Sequence, residues 1–207
     1  MNKDENKSLH TKYIIQPADI KKQPWQDNIK RAIDITHSLC GLILCSPILL
    51  MASIAIKTES DGPVIFKQER IGINGKMFNI YKLRTMYHDA DDKTVKSPED
   101  TRITKTGKFL RKYSIDELPQ LYNVLRGDMS LVGPRPLTTS SFNTRNAKYP
   151  NYGIRHAVKP GLSLGTCRDK NQNINKTERE YIYTWSLIGD LRIFTQIVKN
   201  VICGRNF

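Results

Sequence analysis

Residues 39–56 read LCGLILCSPILLMASIAI, 18 consecutive positions without a charge in a chain of formal net charge +13. As a helix the run would be about 27 Å long, near the hydrocarbon thickness of a bilayer, so it is read as a membrane segment and not as a core helix. Its middle says more than its length. Pro47 removes a backbone donor and crowds the preceding turn, while Ser46 offers a hydroxyl to a freed carbonyl. Lys30 and Arg31 precede the run and Lys57 follows it, so charge bias gives no reason to translocate either flank. Two topologies stay open on these facts: a re-entrant helix, broken at Ser46–Pro47, that leaves by the face it entered, and a kinked single span.

Outward from this segment, 29–57, the chain divides into three. Residues 1–28 are polar, carry Pro17 and Pro24, and are expected to form a weakly ordered arm with a short interfacial turn at Trp25. No secretory leader is expected, because the first apolar run begins only near residue 39. Residues 58–207 supply one domain of mixed α/β type. The 33 Lys+Arg against 20 Asp+Glu favour anionic partners: nucleic acid, anionic lipid or phosphorylated small molecules. Cys40, Cys45, Cys167 and Cys203 form no CxxC pair and no zinc-like spacing, so buried reduced thiols are expected.

Strand signals follow the apolar run. GPVIFKQERIGINGKMFNIYKLRTM (62–86) holds an apolar VIF, then Asn74–Gly75, a two-residue hairpin turn signal. Beyond the turn Phe78, Ile80, Lys82 and Arg84 alternate with Met77, Asn79, Tyr81 and Leu83, so Lys82 and Arg84 are expected on one face, aimed at one place. The polar stretch 87–100 contains Asp89-Ala90-Asp91, formally the D-x-D of metal-dependent glycosyltransferases but most simply a solvated loop.

Ser114-Ile115-Asp116-Glu117 has the form of a capping box, Ser at the N-cap and Glu three residues on. Pro119 fits better if Asp116 is the cap; in both registers the carboxylates occupy a first helical turn, where the dipole favours their charged form. Arg102, Lys105, Lys108, Arg111 and Lys112 lie upstream, and Arg126 and Arg135 downstream. Carboxylates among so many cations repel a phosphate unless a divalent cation bridges them or one attacks phosphorus. Adjacent helical positions diverge by about 100°, which suits Asp116 and Glu117 to two different tasks. In VGPRP (132–136) the two prolines restrict Arg135, as a structural turn or as a phosphate clamp. Near the C-terminus Leu187, Leu191, Phe194, Val198 and Val201 form one helical stripe with Asp190, Arg192 and Lys199 off it, a core face or an interfacial one.

The order GPVIFKQERIG, YKLRTM, DTRITKTGKFLRKYSIDELPQLYNVLRGDMSLVGPRPL, KPGL and WSLIGDLRIF resembles the monotopic phosphoglycosyl transferases, the bacterial sugar transferase family, from about residue 28 onward. By its size the chain is similar to the small members. The resemblance implies a re-entrant membrane helix broken at Ser46–Pro47 and a compact cytosolic catalytic domain with a small β-hairpin and interfacial amphipathic helices. It implies transfer of a phospho-sugar from a UDP-sugar to polyprenyl phosphate, with Mg²⁺, at the cytoplasmic face of the bacterial inner membrane, releasing UMP. Asp116 corresponds to the attacking carboxylate and Glu117 to the Mg²⁺ partner. Arg111 and Arg135 correspond to phosphate ligands, and Lys82 and Arg84 to the basic strand end. The chain departs from the family at 159–173, KPGLSLGTCRDKNQN, which keeps Pro160, Gly161 and Gly165 but lacks the usual Gly-Arg ending; Arg168 is the candidate replacement, and the change bears on nucleotide and sugar recognition.

Rival readings are weighed by the same features. A D-x-D glycosyltransferase would depend on Asp89 and Asp91, but no Rossmann-like βαβ series is present. A nucleic-acid partner is not expected, since neither a helix-turn-helix nor an RNP aromatic pattern accompanies the charge. A non-catalytic membrane scaffold would follow if the altered 159–173 region had lost substrate binding.

Overall fold

The computed structural model describes residues 24–87, 100–149, 151–164 and 174–202. Its first element is α1, Pro24–Glu59, a single 36-residue helix. The helix begins before the expected boundary at 29 and takes Trp25 into its first turn. It is long and apolar enough to cross a membrane, and only 11% of its most apolar window is buried in the protein, which sets it apart from a soluble core helix. Helical structure continues without interruption through Ser46–Pro47. The local cost of proline is met in the way its neighbour suggests: Pro47 leaves the Ile43 carbonyl without its usual amide partner, and Ser46 Oγ donates to that oxygen at 2.7 Å.

One side of α1 packs on the rest of the chain along much of its length. Asp34 and Ser38 are buried near its start, Ala52 and Ile56 near its end. The other side is apolar and open, with Ile43, Leu44, Leu50, Met51 and Ile54 all exposed, Leu44 to 76%. The cysteines of this run differ from expectation: both are free thiols, but Cys40 is exposed and Cys45 only half-buried.

The hairpin forms at the expected place, but its connection is longer than the two-residue turn that Asn74–Gly75 suggested. β1 (Ile65–Ile71) pairs antiparallel with β2 (Met77–Leu83) in a register running from Ile65↔Leu83 to Ile71↔Met77. The connection is five residues long, and Asn74 (φ 54°) and Gly75 (φ 76°) take the left-handed conformations that made Asn-Gly a turn signal. Next come α2 (Lys105–Lys112), a 3₁₀ turn Ile115–Glu117, α3 (Gln120–Arg126) and β3 (Ser130–Val132). After these lie α4 (Thr139–Lys148), a 3₁₀ turn Tyr152–Ala157, β4 (Gly161–Ser163), α5 (Ile174–Thr184) and α6 (Leu187–Ile202). β3 and β4 form a short parallel pair, Ser130↔Gly161 and Val132↔Ser163. They meet so closely that a Cβ on Gly161 would sit 2.1 Å from the Gly133 amide nitrogen, a separation only glycine permits.

Among the described residues three apolar clusters hold the domain. Ala52 and Ile56 of α1 join Leu83 and Leu110; Ile80, Val124, Met129, Leu131 and Val132 form a second; Ile71, Leu137, Phe142 and Tyr152 form a third. The C-terminal stripe divides between two surroundings. Phe194 packs on the second cluster with Ile193 and Ile197, while Ile188, Leu191 and Val198 face outward. Asp190, off the stripe by periodicity, is buried.

Candidate active site

The carboxylate pair sits in a backbone setting that a capping box does not describe. Asp116 and Glu117 lie in the 3₁₀ turn, and α3 starts only at Gln120, behind Pro119. Ser114 makes no capping hydrogen bond with its side chain; it adopts φ 55°, ψ 23° and bends the chain out of α2 into the turn. The expected capping role of Ser114 is thus replaced by a left-handed kink, an uncommon conformation for serine.

Four elements bring cations to this turn. Lys82 Nζ, at the end of β2, lies 2.9 Å from Glu117 Oε1. Arg135, from the segment after β3, pairs with the same oxygen. Arg111, on α2, is held by a hydrogen bond from its Nε to Thr85 Oγ1 at 2.8 Å and acts electrostatically on Asp116. Arg70, on β1, feels both Arg135 and Glu117. Two carboxylates among four cations leave an excess of positive charge, the condition for holding phosphate.

The neighbours divide the two carboxylates electrostatically. Asp116 is only 8% exposed, and burial followed by the Glu117 charge pushes its carboxyl above the usual range, against the opposing pull of Lys82 and Arg111. Burial would also raise Glu117, but Arg135 and Lys82 more than offset it and hold the carboxyl at about 2. Glu117 is therefore a fixed anion at any physiological pH, while Asp116 is a desolvated carboxylate with the higher basicity.

Not every expected residue arrives here. Arg84 is buried elsewhere: its guanidinium donates to the Asp61 carbonyl and, at 2.8 Å, to the Ser60 carbonyl, tying the end of β2 to the chain leaving α1. β2 ends at Leu83, so the alternation that pairs Lys82 with Arg84 does not extend to residue 84. The same alternation does select Arg70: cross-strand partners share a face, and the register Phe66↔Lys82, Gln68↔Ile80, Arg70↔Phe78 puts Arg70 on the face of Lys82. Arg168, Asp89 and Asp91 lie outside the described residues.

Among the described residues no three His, Cys, Asp or Glu side chains gather into a metal-binding group. The donor set at the turn is two adjacent carboxylates, with both ionic contacts of Glu117 made through Oε1. That set suits Mg²⁺, which keeps several waters and is commonly held by one or two carboxylates together with substrate phosphates. A cavity of about 610 Å³ lies away from this turn, lined by Tyr152, Arg155, Glu178 and Tyr183.

Comparison with known proteins gives this geometry a family. Residues 25–204 match the family described as bacterial sugar transferase. The chain is 42% identical over 189 residues to a UDP-glucose:undecaprenyl-phosphate glucose-1-phosphate transferase of Caulobacter vibrioides, covering 86% of this chain and 71% of that protein. It is 43% identical to a transferase of the same name from Klebsiella pneumoniae, of which it spans 40% of the length against 84% of its own. It is 38% identical to the exopolysaccharide production protein PSS of Rhizobium leguminosarum, covering 86% of this chain and 98% of that one. With the match running through α1, the carboxylate turn and α6, the chain belongs to the bacterial sugar transferase family.

Proposed function

We propose that this protein transfers a sugar 1-phosphate from a UDP-sugar to polyprenyl phosphate, of the undecaprenyl type, giving polyprenyl-diphosphosugar and UMP. The observation that carries the reading is the buried Asp116 beside an anionic Glu117 and four cations, in a chain about 40% identical to enzymes named for that transfer.

Asp116 attacks the β-phosphorus of the UDP-sugar. A P–O bond to the carboxylate forms as the bond to the bridging oxygen breaks, and UMP leaves with that oxygen and its electron pair. An oxygen of polyprenyl phosphate then attacks the same phosphorus and expels the Asp116 carboxylate. Each step exchanges one P–O bond for another. Arg135, Lys82 and Arg111 take up negative charge on the phosphates, and their hydrogen bonds to Glu117 and Thr85 hold them in place beforehand. Glu117 would hold Mg²⁺, which when bound would supply further charge compensation for the phosphates. Glu117 holds Arg135 and Lys82 in place.

A polyprenyl phosphate stays in the bilayer, so the enzyme must reach it there. α1 provides the association, and a re-entrant course on the cytoplasmic side of the inner membrane is the topology we favour. It is supported by where α1 is held. Lys30 and Arg31 at one end and Glu59 at the other bond the same domain, roughly 40 Å apart along a straight helix by its rise per residue. One polar domain reaching both ends of a helix is hard to place across about 30 Å of hydrocarbon.

Intact-protein mass spectrometry with a panel of UDP-sugars tests the chemistry. One of them should add the mass of a phosphosugar, and Asp116→Asn should abolish the adduct and lower UMP release by about 10³-fold or more. Unchanged UMP release in that variant would exclude Asp116 as nucleophile.

A further inference from the structure

Arg135 sits in a segment that contains two prolines and so has few amides of its own with which to anchor itself. Four successive carbonyls are instead taken by other parts of the fold. The Pro134 carbonyl accepts from the Gly161 amide at 3.0 Å, and that of Leu137 from the Ile71 amide at 3.0 Å. Between them, the Pro136 carbonyl accepts from Arg70 Nη1 at 3.2 Å, and the Arg135 carbonyl from Arg155 Nη2.

Arg155 stands out among these donors. It is 4% exposed and faces Glu178 of α5, itself 5% exposed, with Nη2 at 3.2 Å from Oε1. Its other terminal nitrogen donates to the Tyr152 hydroxyl, which also accepts from Arg145 Nη1 at 3.0 Å. A buried ion pair is an expensive way to gain stability, because desolvation of both charges offsets most of their attraction. What such a pair does provide is a planar, fixed fork. This fork grips the backbone of the residue whose side chain meets Glu117.

We infer that Arg155, held by Glu178, is a positioning residue that fixes the backbone of Arg135 and so aims its guanidinium at the phosphates. The inference rests on the proposed phosphate role of Arg135. It places the determinant of that aim on the Tyr152–Ala157 turn and α5, remote in sequence from the carboxylate pair.

The test is a double-mutant cycle between positions 155 and 135, read in detergent or nanodiscs. Arg155→Met with Glu178→Met removes both charges together and should melt close to the wild type. UMP release should nevertheless fall about 10- to 100-fold, the scale of a catalytic group displaced by an ångström. Added to Arg135→Ala, the same pair of changes should cost almost nothing more. Arg155→Lys, which keeps the charge but loses the fork, should show the same non-additivity if the Met pair does not fold. Independently of activity, the side-chain Nε–Hε resonance of Arg135, assigned by its absence in Arg135→Lys, should broaden or shift in the 155 variants. Additive losses in the cycle, or an unmoved Arg135 resonance, would overturn the inference. If the wild type releases no UMP from any UDP-sugar, the transferase reading fails, and the resonance alone decides whether Arg155 positions Arg135.

Discussion

Ser114, Asp116 and Glu117 show how far single letters can be trusted. The carboxylate pair was legible because its cations recur nearby in the sequence, but the backbone beneath it was not. SIDE has the form of a capping box, and the chain uses Ser114 to turn a corner into a 3₁₀ turn instead. A left-handed non-glycine residue costs about 1–2 kcal/mol, so Ser114→Gly should raise stability by up to about that amount and Ser114→Val should lower it. Thermal melts of the two variants check this directly. The two carboxyls also predict opposite pH behaviour. Glu117 is held at about 2, below its ordinary 4.5, so the stability it contributes is complete above 4.5 and is lost as pH falls toward 2. Glu117→Gln should flatten the melting temperature across that window. Asp116 is raised, so the fold favours its neutral form and carries a penalty when it is charged. Asp116→Asn should therefore melt higher than the wild type at neutral pH while being inactive, and the acid limb of wild-type UMP release should fall above the ordinary aspartate value.

Among the elements, local signals succeeded where the cause is local. Asn74–Gly75 gave the hairpin because both residues accept positive φ, and Ser46 met the carbonyl freed by Pro47 because the two lie within one turn. They failed where a partner is remote. Nothing near Arg84 announces the carbonyls of Ser60 and Asp61, and nothing in the α6 stripe announces that Asp190 is buried under Lys30 of α1, Tyr181 and Trp185. For α1, the re-entrant reading makes a distinct prediction. Single cysteines at positions 26 and 58, in a background lacking Cys40, Cys45, Cys167 and Cys203, should both react with an impermeant maleimide from the cytoplasmic side and neither from the other. One label on each side would establish a span.

Considered whole, the protein is a catalytic domain built onto its long apolar helix at both ends. Lys30 pairs with Asp190 and donates to the Val132 carbonyl at 3.2 Å, and Arg31 takes the Val124 and Leu125 carbonyls at 2.6 and 2.7 Å. Asp34 accepts from Ser130 Oγ at 3.1 Å and from the Leu131 amide at 3.0 Å. Asp190→Ala should cost about 3 kcal/mol, because it leaves a half-buried Lys30 without its anion. It should also lower activity, since Val132 leads into the Arg135 segment, and a melt paired with a UMP assay reads both. A smaller loss than about 1 kcal/mol would mean that water or lipid headgroups already serve Lys30.

At the far end of α1, the Glu59 carboxylate accepts from the Lys105 amide at 2.6 Å and the Thr106 amide at 2.8 Å, so α1 helps to close the start of the helix that carries Arg111. On the ribosome, α1 emerges well before any of these partners. Glu59 is made 46 and 47 residues before the α2 amides that it receives, and Lys30 precedes Asp190 by 160 residues. The domain therefore closes late upon a helix that is made early, and its last tie to α1 waits for α6. Thr104 caps the helix that carries Arg111 from within its own segment, and Glu59 adds a second, remote closure that ties its start to α1.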